Sequence, residues 1–184
     1  SNLKDHYQVL RVDLRGHGES KLKDDELTIK LFSDDLHCLL RELNIGKVCL
    51  IGFSLGSAVA LDFAIRYPQM VSSMVLMSSF YRADEHLENI FNQFKNALDK
   101  GFGDFYDLIL PMVLCPDVIN DNRKNLEVLK EFASLSANTQ AYIQACDAGL
   151  DFDVEDKLSQ IDVPTLILAG KYDEITVLES QKEL

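Results

Sequence analysis

The sequence predicts an α/β protein whose mostly parallel sheet is flanked by helices. Residues 47–52, 73–78 and 164–170 form three apolar runs without alternation, a pattern typical of strands that are buried on both faces. Between the first two runs, apolar residues recur at helical spacing over residues 58–65, and this pattern ends before Pro68. A strand, a helix and a strand in succession indicate a βαβ unit, in which the two strands run parallel.

The composition excludes several classes of protein. The 184 residues include 30 acidic and 18 basic side chains, which give a net charge of −12, and 47% of the residues are hydrophobic. The hydrophobic content excludes a disordered chain, and the acidic balance argues against a cationic surface for nucleic acid or anionic lipid. No apolar run approaches the ~18 residues that a membrane-spanning helix needs. We therefore expect neither a nucleic-acid partner nor a membrane partner.

The first fifty residues predict a short strand, a turn and a helix. Residues 7–13 form a β-type run that stops at the Arg-Gly-His-Gly turn of residues 15–18. Ser33, which two aspartates follow, is a suitable helix start, because its side-chain oxygen can accept from the free N–H groups of the first turn. The helix is expected to end at residues 44–46. Its apolar residues recur at helical spacing and are Phe32, Leu36, Leu39, Leu40 and Leu43.

The stretch between the second and third apolar runs shows no strand pattern. Residues 87–98 carry a helical apolar stripe that Gly101 and Gly103 interrupt. Three further helical patterns cover residues 105–114, 124–135 and 139–148. Most aromatic residues of this stretch stand at helical spacing, so we expect them to pack in a helical core.

The central feature for function is the sequence Gly-Phe-Ser-Leu-Gly at residues 52–56, which follows a predicted strand and opens a predicted helix. In that context G-x-S-x-G is the pattern of a nucleophile elbow, a tight turn that exposes its serine above the sheet. Glycine is expected at both Gly52 and Gly56, because the turn leaves no room for side chains there. The pattern predicts Ser54 as a nucleophile and the N–H of Leu55 as one donor to an oxyanion.

Competing interpretations of the glycines are weaker. A chance G-x-S-x-G in a loop would lack the strand before it and the helix after it. The Gly-Lys pairs of the sequence lack the Ser or Thr that a phosphate-binding loop needs after the lysine, and no G-x-G-x-x-G dinucleotide fingerprint is present.

Four segments, three before the helical stretch and one after it, form a recognisable series. Residues 12–20 read VDLRGHGES, residues 52–56 read GFSLG, residues 64–76 hold a helix end and the next strand, and residues 163–173 read VPTLILAGKYD. In this order they resemble the strand-and-turn segment, the nucleophile elbow, the helix and strand after it, and the acid-bearing strand of the α/β-hydrolase superfamily. The resemblance covers both ends of the chain and skips only the helical stretch, which is similar in position and length to the family's cap. It implies the α/β-hydrolase fold of a serine hydrolase with a helical cap.

The resemblance also implies a division of the chain and its truncation at both ends. Residues 1–80 and 151–184 would belong to the hydrolase core, and residues 81–150 would form the helical cap. The family's strand with a His-Gly turn, which gives the second oxyanion N–H, would precede residue 1. In the family's sheet that strand lies between the strands expected at residues 7–13 and 47–52. These two strands are therefore expected to pair directly, to receive a strand from a second chain, or to belong to a larger folded molecule.

The resemblance places the catalytic acid at Asp173, which follows an apolar strand and a short turn. The family's other location for this acid, after the second apolar run, carries Ser78 and Ser79, so no carboxylate competes there. Glu174 is the alternative acid. A solvated loop carboxylate is the interpretation of Asp173 without a function.

A triad of this family needs its histidine after the acid, and no histidine follows Asp173. The four histidines of the chain are His6, His17, His37 and His86. His17 is the only tempting substitute, although the family uses this turn structurally. We therefore expect the catalytic histidine beyond Leu184 and expect these 184 residues alone to be inactive.

The activity that the resemblance implies is acyl transfer to water from a carboxylic ester, a lactone or a similar acyl substrate, without a cofactor or a metal. A serine at position 54 argues against dehalogenases and epoxide hydrolases, which use an aspartate there. Two alternatives stay open: a ligand-binding or signalling member of the fold with little turnover, and a cofactor-free perhydrolase or acyltransferase. The expected partner is a small acyl substrate, and formation of a homo-oligomer is left open.

The cysteines bear on the compartment. Cys38, Cys49, Cys115 and Cys146 form no C-x-x-C pair. Cys38 and Cys49 lie in apolar periodic segments and are predicted to be buried free thiols. Four free thiols fit a reducing compartment, which predicts a cytoplasmic protein.

Overall fold

The computed structural model describes residues 2–23 and 25–184, and its centre is a three-stranded sheet. Strand β1 (Val48–Phe53) pairs in parallel with β2 (Val71–Met77), and β2 pairs in parallel with β3 (Thr165–Leu168). The strand order β1–β2–β3 makes β2 the central strand. The predicted α/β class with a parallel sheet flanked by helices is confirmed.

The register of the sheet brings its three carboxyl ends to one level. Phe53, the last residue of β1, pairs with Met77, the last residue of β2, and Met77 pairs with Leu168, the last residue of β3. In a parallel sheet all three strands therefore hand the chain on to loops or helices at the same edge. That edge is where a ligand site is expected in an open α/β sheet.

Seven helices surround the sheet in the described part of the chain. In chain order they are α1 (Ile29–Glu42), α2 (Leu55–Arg66), α3 (Glu85–Leu98), α4 (Phe102–Val113), α5 (Pro116–Ser136), α6 (Thr139–Leu150) and α7 (Leu178–Gln181). Helix α2 connects β1 to β2 and is largely enclosed. Its buried residues are Ser57, Ala58, Val59, Ala60, Leu61, Phe63 and Ala64. Such burial, at about 25 cal/mol per Å² of apolar surface, holds α2 firmly against the strands.

Helix α1 begins earlier than predicted. Thr28, and not Ser33, caps it, because the Thr28 hydroxyl oxygen accepts the N–H of Leu31 at 3.0 Å. Ser33 lies inside the helix and is fully buried. The predicted end is confirmed: α1 ends at Glu42, and Asn44 adopts a left-handed backbone with φ of 55°.

A charged cluster ties α1 to the end of α2. The carboxylate of Asp34 accepts from the Lys30 ammonium at 2.8 Å and from the Tyr67 hydroxyl at 2.6 Å, and it also contacts the Arg66 guanidinium. Burial alone would raise the pKa of Asp34, but these three donors outweigh it and lower the pKa to about 2. The cluster therefore fixes α2, which carries the predicted elbow at its start, to a second helix.

Residues 7–13 do not form the predicted strand. They pair with no strand in the described part of the chain, and the Tyr7 side chain is 68% exposed. The outer edge of β1 is also unpaired among the described residues, because β1 is the first strand in the sheet order, and the Phe53 side chain on it is 60% exposed. A strand needs a neighbour for its N–H and C=O groups, and direct pairing of residues 7–13 with β1, one of the expected arrangements, is absent among the described residues.

The Arg-Gly-His-Gly turn packs against two helices. The Arg15 guanidinium makes a two-pronged ion pair with Asp35 of α1, with distances of 2.6 and 2.8 Å, and a further pair with Asp25 at 2.9 Å. Gly16 has a φ of 79°, and a Cβ there would lie 2.6 Å from the Cβ of Ala141 on α6. Glycine is therefore required at Gly16 for backbone conformation and for close packing.

Helices α3 to α6 lie between β2 and β3 in the sequence, where helical patterns were predicted. Gly101 stands just before α4, but Gly103 lies within α4 and does not interrupt it. Helix α5 begins at Pro116, earlier than predicted, and Phe132 on it is 70% exposed. The expected aromatic core is present in this stretch and contains Phe91, Phe94, Phe102, Phe105 and Tyr142 in edge-on or tilted contacts with ring centroids 5.1–6.3 Å apart.

The prediction that Cys38 and Cys49 are buried is wrong. Both are exposed, as is Cys115, and only Cys146 is buried. Cys49 lies on the open strand β1, and Cys38 lies on the outer face of α1. Burial raises the pKa of the Cys146 thiol to about 12, which keeps it a neutral core residue. None of the helices in the described ranges is long and apolar enough to cross a membrane.

Candidate active site

The residues predicted for the site lie at the carboxyl edge of the sheet. Ser54 directly follows β1, and its N–H donates to the carbonyl of Met77 at 2.9 Å. Ser78, which follows β2, donates its N–H to the carbonyl of Leu168 at 3.1 Å. Asp173 is reached five residues after β3 ends. The structure therefore places Ser54 and Asp173 after the two outer strands, on either side of the end of β2.

Ser54 has a strained backbone, as the predicted nucleophile elbow requires. Its φ of 49° and ψ of −118° lie in a region that residues with a side chain rarely adopt, at a cost of order 1–3 kcal/mol. The carbonyl of Ser54 is held by the N–H of Ser57 at 2.8 Å and by the Ser57 hydroxyl at 2.5 Å. Ser57 is fully buried in α2, so the helix start and the strained turn are locked together.

The two glycines of the motif differ in what they do. A Cβ at Gly52 would lie 2.5 Å from the Gly56 carbonyl oxygen and 2.6 Å from the Cα of Ser57. Gly52 therefore lets the end of β1 approach the start of α2. A Cβ at Gly56 would meet nothing within 4 Å, so the expectation that crowding requires both glycines is wrong for Gly56.

The N–H of Leu55 is positioned to bind an anion. Leu55 is the first residue of the twelve-residue helix α2, whose N-terminus carries a partial positive charge. No backbone carbonyl among the described residues accepts this N–H. Its location one residue after Ser54 fits a donor to an oxyanion.

The carboxylate of Asp173 is oriented by donors of its own loop. Oδ1 accepts the N–H of Ile175 at 3.0 Å and the N–H of Thr176 at 2.9 Å, and Oδ2 accepts the Thr176 hydroxyl at 2.9 Å. Asp173 is half-buried, whereas the neighbouring Glu174 is exposed. A carboxylate accepts about four hydrogen bonds, so Asp173 keeps capacity for one further donor. This geometry favours Asp173 over Glu174 as the acid.

The sequence did not indicate two buried residues that hold the loop of Asp173. Thr176 and Gln181 are both buried, and the Gln181 side chain joins Thr176 to the backbone N–H of Ser79. A threonine three residues after an aspartate is a weak local sign of such a loop. The contact of Gln181 with Ser79 spans 102 residues, and no local pattern could have indicated it.

The histidines of the chain occupy other positions. His17 donates its Nδ1–H to the Arg15 carbonyl at 3.1 Å, and its ring lies 4.7 Å from that of Tyr142. His37 stacks on Tyr67, and His86 contacts the Glu174 carbonyl at 2.9 Å. In residues 2–23 and 25–184, no histidine is hydrogen-bonded to Ser54 or Asp173. The geometry of His17 is that of a packed turn residue.

Comparison with known proteins gives a family and a consistent difference in length. A family model described as alpha/beta hydrolase fold matches residues 1–184. The chain is 31% identical over 179 residues to 3-oxoadipate enol-lactonase 1 of Acinetobacter baylyi, which covers 96% of this chain and 65% of that protein.

Two solved structures extend the likeness to three dimensions. An alpha/beta hydrolase enzyme from a Medee basin deep-sea metagenome library superposes with a TM-score of 0.86 at 27% identity, covering 93% of this chain and 64% of that one. A thermophilic esterase from Thermogutta terrifontis superposes with a TM-score of 0.79 at 27% identity, covering 92% and 64%. The chain thus spans about two thirds of the length of the relatives it matches.

The unequal roles of the two glycines can be measured. Gly52→Ala should lower the free energy of unfolding by about 1–3 kcal/mol or more, because the new methyl group meets backbone atoms that cannot move freely. Gly56→Ala is the matched control. It should be neutral or stabilising by about 0.5–1 kcal/mol, because alanine favours a helix. Urea unfolding of both variants of the intact protein checks this, and equal stabilities would contradict the geometry of the elbow.

Proposed function

We propose a function from the premise that the chain belongs to the α/β-hydrolase fold family. In this proposal it supplies the nucleophile Ser54 and the acid Asp173 of a serine hydrolase. The observation that carries the proposal is the strained backbone of Ser54 at the junction of β1 and α2. Such strain persists only where the surrounding structure enforces it, and it is concentrated at functional sites.

The proposed reaction is acyl transfer through a covalent intermediate. The Ser54 hydroxyl attacks the carbonyl carbon of the substrate while a general base accepts its proton. The N–H of Leu55 stabilises the oxyanion of the tetrahedral intermediate. As the intermediate collapses, the protonated base gives this proton to the leaving oxygen, and the alcohol departs. The base then takes a proton from a water molecule, which attacks the acyl group on Ser54, and it returns that proton to the Ser54 oxygen as the acid is released.

Asp173 would act through the base. Its carboxylate, held by Ile175 and Thr176, accepts an N–H from an imidazole and stabilises the positive charge that the ring gains. Because no histidine among the described residues is hydrogen-bonded to Ser54 or Asp173, we place the base on a histidine outside residues 1–184. The second donor to the oxyanion would likewise come from outside these residues.

The proposed substrates are carboxylic esters or lactones. A 31% identical relative is named an enol-lactonase. A solved structure that superposes with a TM-score of 0.79 is named an esterase. A serine nucleophile, as proposed for Ser54, suits both kinds of substrate. Residues 81–150 are proposed to form the cap over the site, between core segments 1–80 and 151–184. The proposed reaction uses no metal ion.

The assay uses the intact protein, which here means residues 1–184 together with the outside segments proposed to supply the base and the second oxyanion donor. In this protein Ser54→Ala should reduce the turnover of p-nitrophenyl butyrate by at least about 10³-fold, because the nucleophile is lost. Thermal unfolding should be unchanged, because alanine tolerates the Ser54 backbone no worse than serine. Ser72→Ala, at an exposed serine of β2, is the control and should retain full activity. Wild-type turnover in Ser54→Ala would overturn the proposed nucleophile.

Asp173→Asn should lower turnover by up to about 10⁴-fold, because an amide cannot stabilise the imidazolium or fix its tautomer. Glu174→Gln is the matched control and should leave turnover unchanged, since Glu174 is exposed. Steady-state kinetics of both variants decide between the two carboxylates. A loss in Asp173→Asn of less than tenfold, or a larger loss in Glu174→Gln, would reject Asp173 as the acid.

A further inference from the structure

Gln181 connects the acid loop to the end of the central strand. Its side-chain oxygen accepts the backbone N–H of Ser79 at 3.1 Å. Its side-chain nitrogen donates to the Thr176 carbonyl at 2.6 Å and approaches the Thr176 hydroxyl oxygen at 3.4 Å. Gln181 is 3% exposed and Thr176 4% exposed. A buried carboxamide is tolerated when its polar atoms are satisfied, and here both ends of the group are engaged.

Thr176 passes this constraint on to the acid. Its hydroxyl hydrogen points to Oδ2 of Asp173, while its N–H holds Oδ1. The hydroxyl oxygen keeps a lone pair for the Gln181 amide. The chain of contacts therefore runs from the Ser79 N–H through Gln181 and Thr176 to both carboxylate oxygens of Asp173.

This series of hydrogen bonds begins at the same strand end that holds the proposed nucleophile. The Ser54 N–H is bonded to the carbonyl of Met77, and Ser79 stands two residues further along the chain. Hydrogen bonds thus hold both Ser54 and the loop of Asp173 to the carboxyl end of β2, although the two residues follow different strands. Two catalytic groups need such a rigid common support, because the productive geometry tolerates only about 0.5 Å of displacement.

Other contacts join the same two segments but do not reach the acid. The Tyr81 hydroxyl donates to Glu183 at 2.5 Å, and the Ser180 hydroxyl donates to Asp84 at 3.1 Å. These contacts fasten residues 180–183 to the segment after β2. Neither involves Thr176 or the carboxylate of Asp173, so they offer a control for a purely structural effect.

We propose that Gln181 and Thr176 are positioning residues that fix the orientation of the Asp173 carboxylate relative to Ser54. The inference rests on the proposed function, in which Asp173 is the acid of the triad. Gln181 acts on the reaction only through Asp173 and does not touch the substrate. Its loss therefore affects the chemical step and leaves substrate binding in place.

The test combines a near-isosteric variant with a double-mutant cycle in the intact protein. Gln181→Met keeps the volume of the side chain and removes its hydrogen bonds. It should lower kcat for p-nitrophenyl butyrate by about 10- to 100-fold with KM unchanged. In the Asp173→Asn background the same substitution should cause no further loss, because residues that act through one another are not additive.

Tyr81→Phe is the matched control, since it removes a hydrogen bond between the same two segments. It should leave kcat unchanged even if it lowers the unfolding temperature as much as Gln181→Met does. Should Gln181→Met fail to fold, Thr176→Val and Thr176→Ser replace it. Valine removes the hydroxyl that holds Oδ2 and should lower kcat, whereas serine keeps the hydroxyl and should preserve kcat.

The possible results separate this inference from the proposed function. An equal loss of kcat for Gln181→Met in both backgrounds, or a loss in Tyr81→Phe of the same size, would show a structural role and overturn the inference. Full activity of Gln181→Met, or of Thr176→Val where that variant replaces it, would overturn it as well. If Asp173→Asn itself is fully active, the proposed role of Asp173 fails first, and the inference fails with it.

Discussion

The carboxyl end of strand β2 is the point on which the rest of the site depends. Because β2 pairs in parallel with both β1 and β3, hydrogen bonds to the two neighbouring strands hold its last residues on both sides. The carbonyl of Met77 accepts the N–H of Ser54, and the N–H of Ser78 reaches the last residue of β3. The proposed nucleophile and the proposed acid therefore take their positions from one strand that neither of them belongs to.

The strain at Ser54 persists because its surroundings are rigid. A cost of order 1–3 kcal/mol for the positive φ is comparable to the gain of about 1.5–3 kcal/mol from fully burying one large apolar side chain. Helix α2 buries Leu61 and Phe63 almost completely. Gly52 allows the helix start to sit against the strand end, so the energy of packing α2 holds the turn in a conformation that it would not adopt alone.

The sequence predicted those features that local pattern determines. The runs that became β1, β2 and β3, the helix after Ser54 and the helices between β2 and β3 follow from hydrophobic periodicity and turn residues. Features that depend on distant partners were missed or wrong. Residues 7–13 have strand composition, but no neighbouring strand pairs with them among the described residues. The exposure of Cys49 follows from the open edge of β1, and the contact of Gln181 with Ser79 requires the fold to bring both together.

The central claim is that the fold activates Ser54 as a nucleophile, and covalent trapping tests it most directly. The intact protein is treated with a fluorophosphonate, which reacts with activated serine hydroxyls, and the modified peptide is identified by mass spectrometry. The account predicts a single adduct on Ser54, absent from Ser54→Ala. An unmodified protein, or an adduct on another residue with Ser54 untouched, would contradict it.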